Sequence, residues 1–95
     1  MTRRESQKVE GSHNRLVGER IKAIRKALGI TQKEFGDAIG VNDTLIAHIE
    51  KGKKRITIST LVVACRRFNI SADYVLFGDG NPEKPLKQEP PQEVL

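Results

Sequence analysis

The chain has 95 residues, of which 37% are hydrophobic, and 17 Lys and Arg residues against 12 Asp and Glu residues give a net charge of +5. This length allows one small domain with a modest core, and a single Cys excludes an internal disulfide framework or a Cys-rich zinc cluster. No apolar run approaches the ~20 residues of a membrane span, and residues 1–13 are too polar for a signal peptide. We therefore expect a cytoplasmic protein, and its positive charge favours a polyanionic partner such as nucleic acid.

The chain divides into three regions that differ in charge and composition. Residues 1–14 carry a net charge of +1 and form a polar leader that we predict to be flexible. Residues 15–78 hold 12 basic against 6 acidic side chains. Residues 79–95 carry a net charge of −2 and all four prolines, with few apolar residues to offset the entropy of ordering. We therefore predict one domain over residues 15–78, followed by a Pro-rich, disordered tail.

Apolar residues spaced three and four apart predict helices throughout residues 15–78, and no segment alternates convincingly like a strand. The first helix ends at Gly29, and its apolar face consists of Val17, Ile21, Ile24 and Leu28. Thr31 and Glu34 have the spacing of a capping box at the start of the second helix. The inward residues of that helix are Phe35, Ala38 and Ile39.

Residues 32–51 have the pattern of two short helices joined by a tight turn. Gly40 can adopt the positive φ of the turn, and Gly36 removes side-chain bulk where two steeply crossed helices approach. The third helix begins after its N-cap Asn42 and ends near Gly52. The core that the two helices share consists of Phe35, Ile39, Val41, Ile46 and Ile49. This combination indicates a helix-turn-helix and favours DNA binding over the alternative, an ordinary helical corner in an α-domain.

Two further helices complete the predicted all-α fold. Thr57 caps the fourth helix, whose predicted inward residues are Ile58, Leu61, Cys65 and Phe68. Ser71 caps a short fifth helix that covers Val75 and Leu76. Val63, Leu76 and Phe77 are apolar and at least partly outside the predicted core faces, so we predict a dimer interface there.

Three segments within residues 16–78, ITQKEFGDAIGV, HIEKG and NISADYVLFG, resemble the Cro and phage-repressor (XRE-like) helix-turn-helix family. The resemblance implies a five-helix, lambda-repressor-like DNA-binding domain. It also implies a two-fold dimer on a pseudo-palindromic operator, a role in repressing or regulating transcription, and a bacterial or phage origin.

The outward face of the third helix holds the residues that we predict to contact base edges: Asp43, Thr44, Ala47 and His48. Thr44 and Ala47 can contact a thymine methyl group, and His48 can donate to a purine N7 or remain a solvated surface histidine. Asp43 can accept from the cytosine amino group or simply favour the helix dipole. The face has no Arg or Gln, unlike typical family members, which leaves specificity to short side chains, water or DNA deformation.

Phosphate contacts are expected from the two ends of the motif, where N–H groups and cations meet the DNA backbone. The candidates are Arg25, Gln32, Asn42, Lys53, Lys54 and Arg55. Arg25 and Glu50 resemble an ion pair that the family places between its first helix and the end of its third, which would orient Arg25 toward a phosphate. The cations that follow the third helix can also be read as an ordinary solvated face.

Other classes of function find less support in the sequence. The only histidines are His13 and His48, and Cys65 lies on an apolar helix face, so we expect no catalytic residue, metal site or cofactor. The alternative that stays open is an antitoxin-type or protein-interaction module, which would bind DNA through the domain and a protein partner through residues 79–95.

Overall fold

A computed structural model describes the backbone of residues 3–79 and the side chains of residues 13–79. In this part of the chain there are five α-helices and no β-strand: α1 Arg3–Leu28, α2 Gln32–Ile39, α3 Asp43–Glu50, α4 Ile58–Phe68 and α5 Ala72–Phe77. The predicted all-α, five-helix fold is confirmed. Within these residues, no helix is long and apolar enough to cross a membrane.

The first helix is longer than the sequence predicts. It begins at Arg3, so residues 3–14, the predicted leader, continue α1, and the flexibility of this leader stays a prediction. The physical reason is that Arg, Glu, Gln and Lys are good helix formers and no proline interrupts them, so a polar composition does not exclude a helix. The domain boundary at residue 15 stays a prediction. Residues 80–95, which make up nearly all of the predicted tail, lie outside the described residues.

Side chains from all five helices and from the α4–α5 connection share one hydrophobic core. Its buried members are Val17, Ile21, Ile24, Phe35, Ile39, Ile46, Ile49, Leu61, Ala64, Ile70, Tyr74 and Val75. The predicted inward faces of α1, α2 and α3 are confirmed, with Leu28 and Ala38 half-buried at the edge. The rings of Phe35 and Phe68 stack with their centroids 5.2 Å apart, which joins α2 to α4.

The first turn of α4 is a correction to the sequence prediction. Ile58 was predicted to face inward, but it is 82% exposed, whereas Leu61 and Ala64 on the same helix are buried. Ile58 is the first residue of α4, one turn before Leu61, and the burial of Leu61 does not extend to it. Helical spacing shows which side of a helix a residue lies on, but it does not show where the neighbouring element ends.

Every predicted N-cap forms in the structure. The Thr31 and Glu34 capping box has both of its hydrogen bonds, and Asn42, Thr57 and Ser71 each accept from the backbone N–H three residues later. Gly40 ends α2 with φ 81°, the left-handed conformation that the turn requires.

Two glycines permit close approaches of backbone segments. A Cβ atom at Gly36 would lie 2.5 Å from the carbonyl oxygen of Val41. A side chain at position 36 would therefore clash with the backbone of the α2–α3 turn. Gly18, which sequence reasoning missed, lies in α1 against the last turn of α3. A Cβ atom there would overlap with the carbonyl oxygen of Ile49 and lie 3.0 Å from that of Glu50. Gly18 therefore sets how closely α1 approaches α3.

Replacing Gly18 by Ala tests this contact. Helix propensity alone would stabilise the protein by roughly 0.5–1 kcal/mol, because Ala is the better helix former. The clash with backbone carbonyls opposes this gain, and overpacking costs about 1–3 kcal/mol. We therefore expect a lower free energy of unfolding, measured by denaturant titration with circular dichroism.

Ala23 provides the matched control because it is exposed in the same helix. Ala23→Gly reports helix propensity alone and should lower the free energy of unfolding by roughly 0.5–1 kcal/mol. A stabilised Gly18→Ala variant would contradict the close contact between α1 and α3.

Candidate nucleic-acid interface

The turn between α2 and α3 is held by its own backbone and by one side chain. The N–H of Val41 donates to the carbonyl oxygen of Gly36 over 2.9 Å. The side-chain oxygen of Asn42 then accepts from the N–H of Leu45 over 2.8 Å and begins α3. Since the cap uses the oxygen, the amide NH₂ group of Asn42 is the part of this exposed side chain that can donate to a phosphate. The phosphate role predicted for Asn42 stays a prediction.

One face of α3 is buried and the opposite face is accessible. Ile46 and Ile49 lie in the core, while Asp43 and Thr44 are exposed and Ala47 and His48 are half-buried. Successive members of this set of four are one, three and one positions apart, so they share one side of the helix. The structure therefore brings the predicted base-reading residues together, and their contact with bases stays a prediction.

The chain after α3 folds back onto the end of that helix. The backbone N–H groups of Lys53 and Lys54 both donate to the carbonyl oxygen of His48, over 2.9 and 3.2 Å. The side chains of Lys53, Lys54 and Arg55 are exposed. The basic loop, residues 53–55, is therefore attached to the last turn of α3, next to His48. Cations at this end also interact favourably with the helix dipole, so their position has a structural benefit besides a possible contact with DNA.

A buried carboxylate connects α1, α2 and α3. The side chain of Glu50 is 2% exposed and pairs with Arg25, whose side chain is 13% exposed. Arg25 donates from Nε to Oε2 over 2.7 Å and from Nη2 to Oε1 over 3.1 Å. Gln32 donates from Nε2 to Oε1 over 3.2 Å. The predicted pair between Arg25 and Glu50 is present, and Gln32 joins it.

This network reduces the number of hydrogen-bond donors that Arg25 and Gln32 can offer to DNA. Arg25 also donates from Nη1 to the carbonyl oxygen of Ile30 over 2.9 Å, so three of its five N–H groups have protein partners. The hydrogen bond to Glu50 raises the pKa of Arg25 above its usual value, so Arg25 stays charged at all pH values below that value. Two N–H groups of Arg25 are left for the predicted phosphate contact, which stays a prediction, as does that of Gln32.

The residues predicted for a dimer interface lie in the middle of α4 (Val63) and at the C-terminal end of α5 (Leu76 and Phe77). Phe77 is 67% exposed and Val63 is 44% exposed, whereas Leu76 is half-buried against the core. Arg20 attaches α5 to α1 by donating from Nη1 to the carbonyl oxygen of Val75 over 3.2 Å. Sequence reasoning missed this role of Arg20, because no local pattern indicates which carbonyl an exposed-looking arginine reaches.

The described residues therefore form a helix-turn-helix domain with an accessible second helix and a basic loop at its end. Among residues 13–79, no cluster of three or more His, Cys, Asp and Glu side chains is arranged to hold a metal ion.

Comparison with known proteins agrees with this class. The helix-turn-helix family matches residues 21–75, more than half of the chain. The chain belongs to this helix-turn-helix family, and its resemblance to the Cro and phage-repressor type is confirmed. It is 38% identical over 56 residues to the HTH-type transcriptional regulator YazB of Bacillus subtilis, covering 59% of this chain and 81% of YazB.

A solved structure and a second relative extend the comparison. The P22 c2 repressor protein in complex with synthetic operator 9T matches with a TM-score of 0.63 and 36% identity, over 67% of this chain and 97% of that one. The lambda-repressor-like fold is thereby confirmed. Antitoxin PezA of Streptococcus pneumoniae is 29% identical over 59% of this chain. The match spans 35% of PezA and 31% of the complete repressor protein C2 of Salmonella phage P22.

Removal of the Glu50 carboxylate tests its role in joining the helices. Glu50→Ala leaves the partly buried Arg25 without its anion, and breaking a buried pair costs about 3–5 kcal/mol. We expect the free energy of unfolding, measured by denaturant titration, to fall by this amount.

Asp37→Ala is the control, because it breaks the exposed pair of Lys33 and Asp37, whose Nζ and Oδ2 atoms are 3.0 Å apart. Exposed pairs contribute little, so the unfolding midpoint should stay almost unchanged. Similar losses in the two variants would show that burial of Glu50 does not matter.

Proposed function

We propose that this chain is a sequence-specific regulator of transcription that binds double-stranded DNA, acts as a repressor, and works as a homodimer on a pseudo-palindromic operator. The observation that carries the proposal is the accessible face of α3. The helix begins at the exposed N-cap Asn42 and is followed by the basic loop, and its opposite face packs in the core. An α-helix presented in this way fits the major groove. The similarity to an operator-bound repressor supports the same reading.

Base reading is assigned to the accessible face of α3. Thr44 has a hydroxyl group for hydrogen bonding and a methyl group for thymine, and Ala47 offers a methyl group alone. His48 can donate to a purine N7 from the C-terminal half of the helix. Asp43 lies in the first turn of α3, where its charge favours the helix dipole, and it can accept from a cytosine amino group.

Phosphate binding is assigned to groups at both ends of the motif. At one end are Arg25 and Gln32 beside Glu50, and the N-cap Asn42. At the other end are the exposed cations of the basic loop, Lys53, Lys54 and Arg55. Since the centre of the reading face has no cation, these flanking groups supply the attraction to DNA and orient the helix, while short side chains discriminate among bases.

The short side chains of one α3 helix can make few base contacts. A homodimer would double their number by binding a second half-site. The exposed apolar residues Val63 and Phe77, with Leu76 beside them, are the proposed contact between protomers. Two-fold symmetry would bring the same patch of each protomer together and would place the two α3 helices in successive major grooves of the operator.

An antitoxin-type module is the second candidate, and the similarity to PezA favours it. In that case residues 79–95 would bind a protein partner while the domain still binds DNA. Removal of residues 79–95 would then abolish capture of the partner and leave duplex binding intact.

Substitutions on the reading face and in the basic loop should have different effects on DNA binding. A preferred duplex is first obtained by selection from a random pool, which also reports a two-fold site if one exists. Thr44→Ala or His48→Ala should reduce the difference in binding free energy between the selected and random duplexes by ~1–3 kcal/mol, because a base contact is lost. Fluorescence anisotropy titrations measure both affinities.

Lys54→Ala serves as the comparison. It should weaken binding to all duplexes alike and reduce the slope of log K against log salt by roughly 0.9, the value for one phosphate contact. Unchanged sequence preference in both reading-face variants would refute the base-reading assignment without affecting the phosphate assignment.

The dimer interface is tested by Phe77→Asp, which places a charge on a side chain that is 67% exposed. Because burying this carboxylate in an apolar contact is costly, dimers should dissociate in sedimentation velocity experiments with and without the selected duplex. Leu16→Asp, at an exposed apolar residue on α1, is the control and should leave the mass distribution unchanged. Persistence of the dimer in Phe77→Asp would exclude this interface.

A further inference from the structure

An arginine from α1 holds the C-terminal end of α5. Arg20 is half-buried, and its Nη1 atom donates to the carbonyl oxygen of Val75 over 3.2 Å. The two partners are 55 positions apart in the chain. This hydrogen bond therefore joins the first and the last of the five described helices.

The same guanidinium group lies against the glycine that ends α5. Gly78 is the C-cap of this helix, with φ 75°, and its N–H donates to the carbonyl oxygen of Tyr74 over 2.9 Å. A Cβ atom at Gly78 would lie 2.9 Å from Nη2 of Arg20 and 3.2 Å from its Cζ, closer than Cβ atoms in proteins come to other atoms. Gly78 therefore supplies the left-handed conformation of the cap and also leaves room for Arg20.

These contacts bind carbonyl groups that an α-helix leaves without a partner. The last four carbonyl groups of a helix have no N–H donor within it. In α5 the N–H of Gly78 binds the first of these groups, that of Tyr74. Arg20 binds the next one, that of Val75. The permanent positive charge of Arg20 also interacts favourably with the negative end of the helix dipole, so Arg20 is a side-chain cap of α5.

A helix as short as α5 needs such support. It has six residues, whereas isolated helices shorter than about 12–15 residues are marginal in water. Tyr74 and Val75 anchor its middle in the core. Phe77, its last residue, is 67% exposed, so this side chain adds little packing to hold the end of the helix. The C-terminal end of α5 therefore depends on its cap.

Phe77 lies within the capped segment. It follows Val75, whose carbonyl group binds Arg20, and precedes Gly78, whose N–H is bound within α5. These hydrogen bonds fix the backbone on both sides of Phe77, and its side chain stays accessible to another molecule. Ordering the backbone of a residue costs entropy. A residue that is already ordered in the monomer reduces this cost when two protomers associate.

We propose that Arg20 is a positioning residue for the homodimer: it caps α5, with Gly78 leaving room for its guanidinium group, and thereby holds Phe77 in place for the contact between protomers. The inference rests on the dimer of the proposed function, whereas the cap itself does not. Two-fold symmetry uses the contact twice, so α5 must be ordered in both protomers. If Arg20→Gln leaves α5 ordered in about one third of the monomers, the dissociation constant of the dimer should rise roughly tenfold.

Sedimentation velocity of the full chain over a series of protein concentrations measures this dissociation constant. Lys22→Gln is the matched control, because Lys22 is exposed in the same helix and the change removes the same charge. Its dissociation constant should equal that of the parent chain. An equal rise in the two variants would show that the loss of charge weakens the dimer, which would overturn the proposal.

Hydrogen exchange detected by mass spectrometry reports the cap in the monomer, at protein concentrations below the dissociation constant. In Arg20→Gln, the amide hydrogens of residues 72–79 should exchange faster than in the parent chain, while those of α3 should not change. A weaker dimer with unchanged exchange would mean that Arg20 contacts the other protomer directly. Faster exchange with an unchanged dissociation constant would mean that the dimer does not need the capped end of α5. Either result overturns the positioning role.

Gly78 provides a second test. Asn adopts positive φ more readily than most other residues, but in Gly78→Asn its Cβ atom must displace Arg20. This change should weaken the dimer of the parent chain and have a much smaller effect in Arg20→Gln, because the displaced group is already absent. Gly29→Asn is the control, since Gly29 has φ 72° and no atom within 4 Å of the position of its Cβ. It should leave the dimer unchanged, and fully additive effects of the changes at Arg20 and Gly78 would overturn their contact.

Failure of the proposed dimer would give a different result from failure of the cap. A parent chain that is monomeric at every concentration, or a dimer that persists in Phe77→Asp, would overturn the proposed interface and this use of Arg20 with it. The exchange experiment does not depend on the dimer, because it is made on monomers. Unchanged exchange of residues 72–79 in Arg20→Gln would overturn the cap whether or not the chain forms a dimer.

Discussion

The buried carboxylate of Glu50 is the interaction on which the arrangement of the helix-turn-helix depends. An ionised carboxylate that is 2% exposed is stable only when it is paired and hydrogen-bonded. Arg25 from α1 supplies the ion pair and Gln32 from α2 adds a hydrogen bond. The end of α3 therefore cannot move away from α1 without leaving a charge unpaired, or from α2 without losing a hydrogen bond to that charge. Arg25 also binds the carbonyl oxygen of Ile30, which adds the α1–α2 connection to the same network. Within the described residues, no buried side-chain nitrogen or oxygen lacks a partner.

Packing enforces the same geometry as the ion pair. Gly18 lets α1 come into contact with the carbonyl groups of the last turn of α3, and Ile46 and Ile49 enter the core. Polar pairing and close backbone contact thus act on the same turn, the one that also accepts hydrogen bonds from the basic loop. A helix held in this way presents its opposite face as a rigid surface. Rigidity matters for the proposed base-reading role of that face, because its short side chains have few conformations with which to adjust.

The distribution of charge follows from this arrangement. The domain has a large excess of cations, yet the centre of the reading face has none, and Lys53, Lys54 and Arg55 lie at its edge. The same loop also borders an apolar surface of α4 that includes Ile58, Leu61 and Val62. Its cations therefore lie next to two different surfaces, the accessible face of α3 and this apolar surface.

The sequence by itself determined the helices of the described domain, their caps and the helix-turn-helix. These features depend on residues within one or two turns of each other, such as Thr31 with Glu34, and local chemistry is sufficient to predict them. Pattern reasoning also grouped Asp43 with Thr44 on one side of α3. Only the tertiary structure decided the exposure of Ile58, the contact at Gly18 and the third member of the Glu50 network, Gln32. Each of these depends on where a segment distant in the chain begins, ends or passes, and no local periodicity carries that information.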